Sequence, residues 1–146
     1  MSTTFSATTF VDSGLSNPLD LAIDKNGNLF CTNTGYNTIS KITPNRLGAS
    51  ISTFVNSGLD SPYSLAFDKN GYLFCANFTG DSIVKITPSG SVSTFVNSGL
   101  SNPYDLAFDK NGNLFCSNFS ANTIVKITPN GSLSTFVNSG LNGPYG

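Results

Sequence analysis

One unit recurs along the chain. Thr9-Phe10-Val11 returns as Thr53-Phe54-Val55, Thr94-Phe95-Val96 and Thr135-Phe136-Val137, at intervals of 44, 41 and 41 residues, and the surplus of the first interval falls within residues 44–50. A period near 40 residues belongs either to propeller blades or to stacked helical hairpins. Local pattern decides between them. The first unit holds four short runs, Leu21-Ala22-Ile23, Leu29-Phe30-Cys31, Ile39-Ser40-Lys41-Ile42 and Ser52-Thr53-Phe54-Val55, and the later units repeat them. Each is too short for a helix and is rich in β-branched and aromatic residues. Asp24-Lys25-Asn26-Gly27, with its copies at Asp68 and Asp109, joins the first run to the second. An Asx side chain can bond its own backbone there, and glycine supplies positive φ, so the joint is a tight hairpin. Pro88-Ser89-Gly90 and Pro129-Asn130-Gly131 make another. The unit is therefore four antiparallel strands without a helix. Residues 8–51, 52–92 and 93–133 form three repeats of a single array, and residues 134–146 begin a fourth, with a closing strand and a tail.

The stretch from Asn17-Pro18-Leu19-Asp20-Leu21 through Asp24-Lys25-Asn26-Gly27 to Asn33, followed by Asn37-Thr38-Ile39 and Thr43-Pro44, resembles the NHL repeat. The resemblance implies an all-β fold, a β-propeller of four-stranded antiparallel blades with three blades in this chain. Streptogramin lyase-like and gluconolactonase-like propellers are the more distant relatives that it implies. Propellers of this kind serve as protein-binding modules, RNA-binding modules, lyases and lactonases, so the fold does not assign an activity.

A propeller blade buries its faces on two neighbours, and closed rings hold four to eight blades. Three blades leave two apolar faces in water. Two copies would supply a six-bladed ring closed by homodimerisation, pairing blade one of each copy with blade three of the other. Such an interface would bury on the order of 2,000 Å² or more. The alternatives are a larger ring or an open filament. Strand bookkeeping adds a complication, because the Phe-Val runs at both ends make thirteen candidate strands for twelve places. Either the first or the last is redundant, or one replaces the other as a clasp across the chain junction.

Composition narrows the function. Seven Lys and Arg stand against eight Asp, with no His and no Trp, and every acidic residue is Asp. No basic field exists to hold nucleic acid. No apolar run is long enough to span a membrane, and residues 1–10 lack the basic start and apolar core of a secretory leader. An intracellular, cytoplasmic protein is expected, and the resemblance adds a virion or surface component. The lyases that the resemblance brings in depend on histidine, and its lactonases use a Glu-led metal site. Both residue types are missing. Near-identical blades also repeat the same side chains around a ring, whereas a nucleophile, a base and an oxyanion donor are different groups.

Candidate site residues follow the repeat. Asp20 and Asp105, with Ser64 in register between them, stand where the first strand enters, which in propellers lines the channel near its mouth. Asn33, Asn77 and Asn118, at the exit of the second strand, would complete an oxygen-rich rim able to hold a calcium or magnesium ion, or ordered water. The competing reading is a solvated channel lining. Cys31, Cys75 and Cys116 occupy one place in successive units, too far apart for disulfides. They read as small buried hydrophobes rather than a thiol ring for a soft metal, and free thiols suit a reducing compartment. Asp24, Asp68 and Asp109 open like a calcium loop, but the ligand series fails and hairpin structure explains them. Lys41, Lys85 and Lys126 sit mid-strand and snorkel from a solvent face. Asn77, Asn118 and Asn130 head glycosylation acceptor triplets, which chance explains in a chain so rich in Asn, Ser and Thr. Tyr36, Tyr63, Tyr104, Tyr145, Phe78 and Phe119 either decorate the rim, where they suit a protein or glycan partner, or pack between blades. The expectation is a non-enzymatic propeller that self-assembles as a scaffold or interaction surface. A degenerate metal-dependent lyase or lactonase is the alternative.

Overall fold

The computed structural model describes residues 9–46 and 48–146, which form twelve strands and no helix. Blade 1 holds β1 (Pro18–Ile23), β2 (Leu29–Asn33), β3 (Thr38–Asn45) and β4 (Gly48–Val55). Blade 2 holds β5 (Pro62–Phe67), β6 (Leu73–Asn77), β7 (Ser82–Ile86) and β8 (Val92–Val96). Blade 3 holds β9 (Pro103–Phe108), β10 (Leu114–Asn118), β11 (Thr123–Ile127) and β12 (Leu133–Val137). Each is a four-stranded antiparallel sheet in chain order. With no helix among the described residues, none is long and apolar enough to cross a membrane. The leader reading falls mainly on residues 1–8, outside the described residues.

The Asp-Lys-Asn-Gly turns form the expected hairpins. Asp24 Oδ1 accepts the backbone N–H groups of Asn26 and Asn28, each at 2.9 Å, and Gly27 takes a φ of 81°. Asp68 and Asp109 repeat the pattern. The surplus residues of the first repeat lengthen the outer hairpin. There β3 and β4 run on as far as the Asn45↔Gly48 pair, whereas β7 and β8 stop at Ile86↔Val92.

Among the described residues there are twelve strands: Thr9-Phe10-Val11 forms none, while Thr135-Phe136-Val137 lies within β12, so of the thirteen candidates the first Phe-Val run is the one without a place. The reason is the position of this run in the sheet. It pairs with the third strand before it, as β4 does with β3, and no such strand precedes residue 9 among the described residues.

The inner strands β1, β5 and β9 lie side by side, so the blades converge on one edge. The apolar core sits between blades rather than within them. One cluster joins Phe30, Ile39 and Val55 of blade 1 to Leu65, Leu73 and Val84 of blade 2, and the second joins Phe74, Ile83 and Val96 to Leu106, Leu114 and Val125 of blade 3. Edge-to-face pairs repeat at each junction, with Phe30 on Phe67 at 5.2 Å and Phe74 on Phe108 at 5.1 Å between ring centroids. Three blades make two such cores and leave two outer faces open.

Candidate functional site at the inner edge

Every inner strand carries a β-bulge at the same place. In blade 1, Pro18 pairs with Asn33 and Leu21 with Cys31, so Leu19 and Asp20 together oppose Thr32. Blades 2 and 3 repeat the shift at Ser64 and Asp105. A bulge re-aims a side chain, and here it aims Asp20 and Ser64 at the next blade, while Asp105 meets Ser64 of the blade before it.

Asp20 Oδ2 accepts the Leu65 N–H across the junction at 2.6 Å, and its Oδ1 accepts the Leu21 N–H at 2.8 Å. Ser64 Oγ accepts the Leu106 N–H at 3.2 Å and donates to Asp105 Oδ1 at 2.8 Å. The sequence pairs each Asp with a hydroxyl on the second strand. Thr32 Oγ1 receives the Asp20 N–H and Ser117 Oγ the Asp105 N–H, both at 3.0 Å, while Ser64 stands opposite Ala76. The structure thus brings Asp20, Ser64 and Asp105 into one ladder that links the blades.

Asn33, Asn77 and Asn118 do not join that ladder. They are buried, and their amides hold the incoming connector of their own blade. Asn33 Oδ1 receives the Ser16 N–H, Asn77 Oδ1 the Asp60 N–H and Asn118 Oδ1 the Ser101 N–H, at 3.2–3.3 Å. Their NH2 groups donate onward, Asn33 to Ser40 Oγ at 2.7 Å, Asn77 to Ser82 Oγ at 3.2 Å and Asn118 to the Gly99 carbonyl at 3.1 Å. This corrects the oxygen-rich rim. The amides are clamps because a buried polar group needs partners, and every buried side-chain nitrogen and oxygen among the described residues has one. No group of three or more Cys and Asp among the described residues is placed to hold a metal ion. The oxygens that would have to converge on calcium or magnesium are directed elsewhere, the Asn33, Asn77 and Asn118 Oδ1 atoms to connector N–H groups, Asp20 to the Leu21 and Leu65 N–H groups and Asp105 Oδ1 to the Ser64 hydroxyl.

A cavity of about 220 Å³ opens at the mouth, lined by Leu19, Asp20, Tyr63, Ser64, Tyr104 and Asp105, with Gly146 at its edge. Aromatic rings continue from it across one face. Tyr63 stacks on Phe78 at 4.2 Å and meets Tyr104 edge-on at 5.1 Å, and Tyr104 meets Tyr145 at 5.2 Å. Phe119 lies 5.4 Å from Tyr145. Of this cluster Tyr145 is exposed and the others are half-buried, while Tyr36 projects from blade 1 apart from it. The rings therefore both pack between blades and reach the rim.

The remaining candidates are structural. Cys31, Cys75 and Cys116 are buried free thiols. Burial pushes all three up, Cys116 to about 12, with the nearby Asp20 or Asp105 charge adding to it. Asp24 and Asp109 lie below the usual carboxylate range. For Asp24 desolvation opposes the shift but is outweighed by hydrogen bonds from Asn28 and Asn26, and for Asp109 the Asn113 side chain leads. Lys85 is half-buried with Nζ 4.0 Å from the Tyr72 ring centroid, and Lys41 Nζ lies 5.7 Å from that of Phe30. These lysines cover aromatic rings instead of forming an open basic ring.

No protein-family model and no curated protein matches the sequence. Solved structures match its shape. Virginiamycin B lyase from Staphylococcus aureus superposes with a TM-score of 0.71 at 22% identity, over 88% of this chain and 43% of that one. A histidine-to-alanine variant of that lyase, described as catalytically inactive, was solved with quinupristin. A gluconolactonase from Xanthomonas campestris gives 0.72 at 18% identity, over 88% and 49%. A chain of the nidogen/laminin complex gives 0.68 at 19%, over 76% and 45%. The three sheets are propeller blades. The chain spans less than half the length of each of these structures, and at such identities the likeness is one of fold.

Proposed function

We propose that this chain is a non-enzymatic propeller module that self-assembles, most simply as two copies in a six-bladed ring, and serves as a scaffold or interaction surface. One observation carries the reading. Leu21 is 57% exposed, whereas Leu65 and Leu106, its counterparts in blades 2 and 3, are each 6% exposed. The position is made for burial against a preceding blade, and no blade precedes blade 1 among the described residues. Ile23 at 64% and Phe136 at 62% repeat the mismatch on the two outer faces. Clustered exposed apolar side chains mark association surfaces.

Enzymatic readings find less support in the chain. The inactive lyase variant had lost a histidine, and this sequence has none. Asp20 accepts two backbone N–H groups and Asp105 accepts the Ser64 hydroxyl, so both inner-edge carboxylates already hold protein donors. Native mass spectrometry over a concentration series tests the proposal. A species of twice the chain mass is expected, and a mass that stays monomeric at every concentration overturns it. Lactone hydrolysis that depends on an added divalent metal would instead establish the degenerate lactonase.

A further inference from the structure

Residues 143–146 sit on blade 3 in the manner of a new inner strand. Asn37 Oδ1 accepts the Ser61 N–H at 2.8 Å and Asp81 Oδ1 the Asn102 N–H at 2.7 Å, each bond running from one blade to the residue just before the next inner strand. Asn122 Oδ1 accepts the Gly143 N–H at 2.6 Å in the same way. The φ angles agree as well, 50° at Ser61, 49° at Asn102 and 55° at Gly143. Tyr145 then meets Tyr104 as Tyr104 meets Tyr63, and its carbonyl accepts from Ser117 Oγ at 2.6 Å. Gly146 stands against the Asp105 carboxylate, where a Cβ would lie 2.9 Å from Oδ2.

Blade 1 carries the same elements with no blade before them among the described residues. Asn17, with a φ of 47°, is the counterpart of Gly143, and Pro18-Leu19-Asp20 that of Pro144-Tyr145-Gly146. Beyond Gly146 the blade 3 face opens into a groove of about 320 Å³ whose walls include Ala107, Phe115, Cys116 and Ile124. In the junctions within the chain that place is filled by the Leu65 and Phe67 or the Leu106 and Phe108 side chains, whose blade 1 counterparts are the exposed Leu21 and Ile23.

We propose that this groove is the docking surface for residues 17–23 of a second copy, and that residues 143–146 hold the first part of it as an internal competitor. On docking, the second copy's Asn17 N–H takes the Asn122 Oδ1 position and its Leu21 N–H takes the Asp105 carboxylate, repeating the Asp20 to Leu65 bond. Its Leu21 and Ile23 side chains fill the groove against Phe115. Residues 143–146 must leave before this happens, so assembly is weaker than the buried apolar surface alone would make it. Where the groove is open in only a fraction of the molecules, the apparent affinity of the docking strand is reduced by that fraction.

The proposal rests on the self-assembly reading, and one experiment separates the two. Sedimentation equilibrium compares the full chain, a chain stopping at Leu141, and full-length Tyr145→Ala, which loses the ring contacts of the competitor but keeps those of the docking strand. The expected result is about tenfold tighter association for the shortened chain and about threefold for Tyr145→Ala, with melting temperatures confirming that both are folded. Larger rings or filaments that the same changes strengthen also support docking of a second copy. Equal association of all three chains overturns the competitor and leaves self-assembly standing. Weaker association of the variants overturns it too, since residues 143–146 would then help assembly. Three monomeric chains overturn both.

Discussion

Ser64 donates its hydroxyl proton to Asp105 Oδ1 at 2.8 Å and accepts the Leu106 N–H on the same oxygen at 3.2 Å, so one small side chain links blade 2 to blade 3 twice. Ser64 is 3% exposed, and Ser64→Ala leaves the Leu106 N–H without its partner. An orphaned buried donor costs about 1–3 kcal/mol. Urea denaturation is expected to show a loss in that range. A midpoint that does not move would mean that the ladder adds nothing to stability.

The Asn77 amide ties the Asp60 N–H, the Gly58 carbonyl and Ser82 Oγ together in a buried site. Asn77→Ala removes all three bonds, and a loss of about 2–3 kcal/mol follows from leaving backbone groups unpaired. Asn77→Asp keeps the acceptor for Asp60 but brings a buried charge. Thermal melts should place both variants below the native chain. If the asparagine served a solvated rim, neither change would move the melt.

These two sites mark how far the sequence could be read. The twelve paired strands and the Asp-Lys-Asn-Gly hairpins depend on contacts a few residues apart, and the repeated letters expose them. Asp20, Ser64 and Asp105 were legible as a set because they share one register position. Their direction was not, since it comes from a bulge, and a bulge depends on how two strands count against each other. Asn33 looked like a rim residue because an amide at a strand exit favours no face. Its partner Ser16 lies 17 residues upstream, and only the folded connector brings the two together. Thr9-Phe10-Val11 carries the letters of an outer strand, but its partner would have to be an earlier third strand.

Buried thiols give a dependence on alkaline pH. Cys116 titrates near 12 in the folded chain against 9.0 for an ordinary thiol, and Cys31 and Cys75 are shifted upward as well. The fold therefore prefers the neutral thiol. This contribution is constant below pH 9 and is lost as the pH rises from there through the folded values, because the unfolded chain ionises first. Denaturation midpoints should fall between pH 9 and 11, and Cys116→Ala should flatten part of the fall. At pH 8 the Cys116 thiolate fraction is about a thousandfold below that of a free thiol, so disulfide reagents should label it only after unfolding.

The hairpin carboxylates act at the opposite end of the scale. Asp24 and Asp109 titrate below 3.8 in the fold because the turn amides favour the charged form. Their contribution is present above the unfolded value and disappears as the pH falls through the folded ones. Stability measured in urea should decline below about pH 4. Asp109→Asn should make that decline shallower. A slope identical to that of the native chain would mean that the turn does not distinguish the two protonation states.

Leu21 and Leu65 allow the strongest test of incompleteness, because they are the same residue in the same register with different surroundings. Leu21 is 57% exposed and Leu65 only 6%. Leu65→Asp places a carboxylate in the blade 1 and blade 2 core, where burying a charge without a partner costs several kcal/mol, and it is expected to unfold the chain. Leu21→Asp changes an exposed side chain, and an isolated subunit should lose no more than about 0.5 kcal/mol. In a two-fold ring, however, Leu21 would be buried twice, and burying one leucine is worth about 1.5–3 kcal/mol. Losing both corresponds to weakening of about a hundredfold or more in the dissociation constant. A folded Leu21→Asp chain that has lost self-association is the expected result, read by light scattering beside a thermal melt. Association at native strength would place the contact elsewhere, and a collapse of the melt would mean that Leu21 already has a neighbour within its own subunit.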